Sequence, residues 1–182
     1  AIVSDMKEAL DTHQFVAYYQ PKYSLKTERM YGAEALVRWI HPTKGIISPG
    51  RFIPVFEKNG FIKELDTYMW NTVAHQIREW MDAGYEPTPI SVNISRVSLN
   101  NPNIVNVIDE IVKKNHISPS LLNLEITESA YMDNPEIMTG LVNDFKKNGF
   151  TVMMDDFGSG YSSLNILKNI PVDVLKIDMK FI

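Results

Sequence analysis

Apolar runs of strand length alternate with longer amphipathic runs from Phe15 to the C-terminus, and five of the short runs carry an acid, amide or amine where they end. The alternation points to an α/β fold with a largely parallel sheet. Six strands are predicted: 15–20, 31–39, 90–95, 122–127, 151–156 and 174–179. Residues two apart share a face of a strand. Gly32, Glu34, Leu36 and Arg38 therefore oppose Ala33, Ala35, Val37 and Trp39. In the same way Ser91, Asn93 and Ser95 oppose Val92 and Ile94, and Asn123, Glu125 and Thr127 oppose Leu124 and Ile126. Lys176 and Asp178 oppose Leu175 and Ile177. Helices cover the aliphatic face, so the polar residues converge on an interior open to water or ions, as at the mouth of a (β/α)₈ barrel. An open doubly wound sheet is the competing architecture, and it would gather ligands at one switch point instead of from most strand ends.

Helix signals fit between these strands. Ser48-Pro49 reads as an N-cap and first-turn pair for a helix through Phe56, and Ile62 to Ala83 as a long amphipathic helix with Gly84 beyond it. Asn134-Pro135 opens another that Gly149 closes, and the leading AIVSDMKEALDTHQ reads as a helix joined to something upstream. No linker, low-complexity stretch or internal repeat divides the chain, so residues 1–182 read as one domain.

Composition narrows the function classes. A net charge of −4 argues against a broad electropositive surface for a nucleic-acid polymer, so a phosphate-bearing ligand is expected to be small and locally held. The chain has no cysteine, which removes disulfides, thiolate zinc sites and a cysteine nucleophile and fits the cytoplasm. No apolar run reaches the roughly 20 residues that span a bilayer, so any membrane tether is expected outside this chain. The four histidines, His13, His41, His75 and His116, lack metal-ligand spacing.

Carboxylates at the ends of buried strands are costly in isolation, and their recurrence on successive strands suggests a shared cation. Glu34, Asn93, Glu125 and Asp155 form an oxygen-rich ligand set suited to Mg²⁺ or Mn²⁺, and Asp156 is placed to hold a second ion. Two such ions activate a water and steady the leaving oxygen of an in-line displacement at phosphorus. Each acid taken singly also reads as a cap or surface ion pair. Lys176, inside an apolar run, needs acidic neighbours or an anionic ligand, with Asp178 or Asp173 as ion-pair alternatives. Arg38 shares parity with Glu34 and either forks onto a phosphate or faces solvent. Asp156 to Ser163 reads as a mobile loop over a site or as a plain turn, and lacks the Gly-Lys-Ser/Thr ending of a nucleotide P-loop. Glu128 either accepts hydrogen bonds from that loop or caps the next helix.

At this point EALVRW (34–39) resembles the signature of the bacterial EAL domain, a cyclic di-GMP phosphodiesterase family. Tyr19-Gln20-Pro21, PGRFIPVFEKNG (49–60), Ser91-Val92-Asn93, Glu125 to Ser129, DDFGSGYSSL (155–164) and Lys176-Ile177-Asp178 are similar to that family's motifs in its order. The resemblance covers essentially the whole chain. It implies a TIM-like (β/α)₈ barrel whose first strand is antiparallel, cutting cyclic di-GMP to linear 5′-pGpG. By motif, Glu34, Asn93, Glu125 and Asp155 would bind the first Mg²⁺ or Mn²⁺ and Asp156 would bridge to the second. Lys176 would contact the attacking water, Gln20 and Arg38 would hold substrate, and Glu128 would anchor the loop after Asp156. Similar domains dimerise beside that loop and accompany sensor or cyclase domains, so a homodimer and such neighbours are expected partners.

Ser159 stands where threonine is commoner in the family. The chain ends at Ile182, after its sixth predicted strand, whereas a complete barrel of about 250 residues would need roughly another 70. The family's further catalytic glutamate and a substrate-contacting glutamine belong to that missing part, so the expectation is an incomplete barrel. Two rivals follow: a non-catalytic cyclic di-GMP receptor, against which the retained acids argue, and an enolate-stabilising Mg²⁺ lyase, against which the motif string argues.

Overall fold

A computed structural model describes residues 2–159 and 166–179. The order is α1 (Ile2–Asp11), β1 (Phe15–Tyr23), β2 (Met30–His41), β3 (Gly45–Ile47), α2 (Pro49–Asn59) and α3 (Ile62–Asp82). There follow β4 (Ile90–Asn93), α4 (Arg96–Leu99), α5 (Ile104–Lys114), β5 (Leu122–Thr127), α6 (Glu128–Asp133), α7 (Pro135–Lys147), β6 (Val152–Phe157) and β7 (Val174–Ile177).

All the strands join one sheet in the order β1-β2-β4-β5-β6-β7, with β3 hairpinned onto β2. β1 runs antiparallel to β2, as the resemblance implies, and the later pairings are parallel. The hairpin is longer than predicted. Pro21 reads as a strand terminator because it cannot donate to a ladder, yet β1 continues past it to Tyr23. Among the described residues β1 lies at one end of the ladder, where a proline can leave its missing N–H outside the pairing. β3 is a three-residue strand too short for alternation to reveal.

Helix boundaries follow the capping chemistry. Ser48 is extended before Pro49, and α2 stops at Gly60, whose φ of 83° is the left-handed region that glycine enters at little cost. Asn134 accepts from the Ile137 N–H to start α7. α5 was not assigned from sequence, although Ile104, Ile108, Ile111 and Val112 form its buried stripe. No helix among the described residues is long and apolar enough to cross a membrane.

Packing separates the two faces of the sheet. Ile90, Val92, Leu122, Leu124, Val152 and Met154 point outward and are buried beneath α3, α5 and α7. A second cluster joins Phe15, Trp39, Phe52, Phe56 and Phe61 with Ala9 of α1. Each fully buried large side chain contributes about 1.5–3 kcal/mol relative to exposure. Gly32 is required where the sheet turns parallel: a Cβ there would lie 2.9 Å from the Pro89 carbonyl oxygen, which accepts the Ala33 N–H at 3.0 Å. The polar face is left to the interior.

Candidate active site

Register brings the polar residues together. Glu34 lies beside Gln20 on one flank and Ser91 on the other, Asn93 beside Glu125, and Thr127 beside Asp155. Glu34, Glu125 and Asp155 each offer an oxygen, and these three atoms lie within 4.8 Å of one another. Lys176 projects into the same space. Its Nζ is 3.3 Å from Glu34 Oε2, 3.2 Å from Glu125 Oε2 and 3.6 Å from Asp155 Oδ1. Among the described residues these three acids form ion pairs with Lys176, while Asp173, an alternative considered from sequence, pairs with Lys146 and accepts the Val152 N–H.

The crowding perturbs the acids. Burial, with the adjacent Glu125, pushes the Glu34 carboxyl up to about 7. Burial also pushes Glu125 upward, but a hydrogen bond from Glu34 and the ammonium groups of Lys176 and Lys22 outweigh it and hold Glu125 below the usual carboxylate range. The first proton that the pair takes up, as pH falls through about 7, therefore goes to the Glu34 side. For Lys176, burial opposes the charge, and the three carboxylates more than offset it, so its pKa lies above that of an ordinary lysine.

The other predicted residues are distributed around this trio. Asn93 is exposed, and its main-chain carbonyl accepts from Trp70 Nε1 at 3.0 Å. Asp156 is not one of the trio; it has a left-handed φ of 57°, and its N–H donates to Asp155 Oδ1. Burial and the neighbouring Asp155 and Asp178 raise its pKa. Gln20 lines a groove of about 320 Å³ with Glu34 and Lys176. The Arg38 guanidinium donates to the Val37 carbonyl and lies 5.4 Å from the centre of the Tyr18 ring.

Glu128 was open to two readings, and Thr127 separates them. Thr127 Oγ1 accepts the Ala130 N–H and caps α6, while Glu128 Oε2 accepts the Gly158 N–H at 2.8 Å. Glu128 therefore braces the start of the loop after Asp156. The rest of that loop, Gly160 to Leu164 of the predicted motif, lies outside the described residues.

Three participants were missed from sequence. Lys22 Nζ is 3.2 Å from Glu125 Oε1 and 2.8 Å from Ser91 Oγ. Its parity with Gln20 was the available signal, obscured by Pro21. Asp66 accepts the Ser95 N–H at 3.0 Å and the Ser98 hydroxyl at 2.7 Å, so Asp66 and Trp70 hold the exit of β4 from one helix. An acid inside the apolar stripe Ile62, Leu65, Met69, Val73 was the clue. Beside them a cavity of about 520 Å³ is lined by Val37, Ile53, Asp66, Asn93, Arg96 and Glu125 among others, within the size range of small-ligand sites.

Comparisons with known proteins show the family and the fold. The EAL domain family profile matches residues 3–182. The bifunctional diguanylate cyclase/cyclic di-GMP phosphodiesterase MucR of Pseudomonas aeruginosa is 36% identical over 100% of this chain and 26% of its own length. The cyclic di-GMP phosphodiesterase NbdA of the same organism is 35% identical over 98% of this chain and 23% of its own. The chain thus spans about a quarter of the length of these curated relatives. The solved structure of the MucR phosphodiesterase in complex with c-di-GMP superimposes with a TM-score of 0.92 at 36% identity, over 97% of this chain and 72% of that one. The fold is accordingly of the TIM-like barrel type.

Proposed function

The chain belongs to the EAL domain family, and from that premise we propose that it hydrolyses one phosphodiester bond of cyclic di-GMP to give linear 5′-pGpG. The observation that carries the reading is the trio Glu34, Glu125 and Asp155, whose oxygens converge within 4.8 Å. Hard oxygen donors at that spacing suit Mg²⁺ or Mn²⁺. Glu34, Glu125 and Asp155, with the Asn93 amide, would hold one ion, and Asp156 would serve a second. When bound, the ions supply Lewis acidity at phosphorus and at the attacking water.

The chain's own groups do the positioning. Lys176 fixes the water nucleophile through its ammonium, which the three carboxylates keep charged and oriented. Gln20 and Arg38 hold the substrate's phosphates and ribose against the groove that Gln20 lines beside Glu34. The 520 Å³ cavity next to Asn93 receives a guanine, with Asp66 and Arg96 on its walls. Glu128, through the Gly158 N–H, keeps Asp156 at the site's edge.

The test is product formation. The purified chain with cyclic di-GMP and Mn²⁺ is expected to yield 5′-pGpG, resolved chromatographically, and Glu34→Gln to yield none. Equal product from both proteins would remove Glu34 from the metal-binding set. Nucleotide retained intact by the wild-type chain would favour a receptor.

A further inference from the structure

Glu125 is the most deeply buried acid of the trio, with a side chain 0% exposed, and its two oxygens are served differently. Oε1 takes Lys22 Nζ at 3.2 Å and Lys176 Nζ at 3.2 Å, whereas Oε2 takes Lys176 alone among these ammonium groups. Lys22 comes from β1, on the flank of the site away from Lys176 in the sheet order. Its side chain is only 16% exposed, and its Nζ is also held at 2.8 Å by Ser91 Oγ, itself 1% exposed. Ser91 Oγ in turn donates to the Ala33 carbonyl, which ties the group to the backbone of β2.

A buried ammonium without a job would be expensive, because removing one member of a buried ion pair leaves the other uncompensated. Lys22 is also more than a surface counter-ion, since its side chain is largely withdrawn from solvent and its partner Glu125 is fully buried. We propose that Lys22 is a positioning residue for the reaction: anchored by Ser91, it pins Oε1 of Glu125 so that Oε2 is presented to the divalent ion. This rests on the metal-dependent reading given above. Without Lys22, Glu125 would be held only by Lys176, which bonds both of its oxygens, and by Glu34, so that nothing from the β1 flank would set Oε1 apart from Oε2. Hydrogen-bonded partners of ligating carboxylates are worth about 10- to 100-fold in metal affinity. The ammonium's repulsion of the ion opposes this gain, and the proposal states that orientation outweighs it.

The experiment is calorimetric titration of the full chain with Mn²⁺, paired with thermal unfolding of the metal-free protein. Lys22→Met keeps most of the volume and is expected to weaken Mn²⁺ binding about tenfold. Ser91→Ala, which frees the ammonium from its anchor, is expected to weaken it about threefold, a smaller share of the same effect. Without metal, Lys22→Met combined with Glu125→Gln is expected to melt above Lys22→Met alone, because the uncompensated charge is gone. Mn²⁺ binding by Lys22→Met that equals or exceeds wild type would overturn the proposal, even if the variant melts earlier, since a space-filling role predicts that result. If Lys22→Met fails to fold, unchanged affinity in Ser91→Ala overturns it. A wild-type chain that takes up no Mn²⁺ would overturn the metal reading and this role together, whereas uptake equal in wild type and variants sinks this role alone.

Discussion

Glu34 is the residue whose chemistry most directly reports on the site, because its carboxyl titrates at about 7 instead of the ordinary 4.5. A raised folded-state value means that the proton on Glu34 favours the fold. In the metal-free protein that contribution is fully present below about pH 4.5 and is lost as pH rises through about 7. Thermal scans without metal are therefore expected to show Tm falling between those values, and Glu34→Gln to flatten that slope; an equal slope in both proteins would assign the titration elsewhere. Metal uptake has the opposite sign. An ion takes the carboxylate, so Mn²⁺ affinity is expected to rise with pH through about 7, with a proton released on binding. In the proposed reaction Lys176 would act differently, by holding the nucleophile. Lys176→Met is expected to lower kcat about 10²- to 10⁴-fold while Mn²⁺ still binds; retained kcat would exclude it from the reaction. Both residues were legible in the sequence as candidates, Glu34 by its parity among the acids and Lys176 as a charge inside an apolar run. Lys22 was not, because Pro21 made the strand look finished.

Strands and loops decide whether those residues meet. The pairings of β4 with β5 and of β5 with β6 place Asn93 beside Glu125 and Asp155 beside Thr127, an arrangement readable from a period of two once the strands are found. The pairing of β2 with β4 depends on Gly32, because any side chain there meets the Pro89 carbonyl at 2.9 Å. Gly32→Ala is expected to cost about 1–3 kcal/mol, and a Tm within a degree of wild type would show that the strands can shift apart without penalty. At the other end of the site Glu128 braces Gly158, whose φ is 89°. Glu128→Ala is expected to lower kcat at least about tenfold with little loss of stability, since it frees the segment that carries Asp156. An unchanged kcat would make the brace incidental. Elements whose place is set by distant packing were the ones sequence reading left out. α5 shows its buried stripe only against the sheet, and β3 exists only as a partner of β2.

At the scale of the molecule, one polar face and one aliphatic face, repeated along successive strands, dictate both fold and function. The aliphatic face is buried under α3, α5 and α7, and the polar face gathers acids from β2, β5 and β6 with a lysine from β7 into one interior. That much was legible in the alternation of side chains, as was the antiparallel first strand through the family resemblance. What alternation did not single out was the second rank of groups, Lys22 behind Pro21 and the helical Asp66 and Trp70, whose partners are chosen by three-dimensional proximity. Hydrolysis at phosphorus, as proposed for this interior, differs from mere retention of nucleotide in one respect: an oxygen from water enters the product. The most direct measurement is incubation of the chain with cyclic di-GMP and Mn²⁺ in ¹⁸O-labelled water, followed by mass spectrometry of the nucleotide. The account predicts 5′-pGpG carrying one ¹⁸O on its terminal phosphate; cyclic di-GMP recovered intact from protein that had bound it would contradict it.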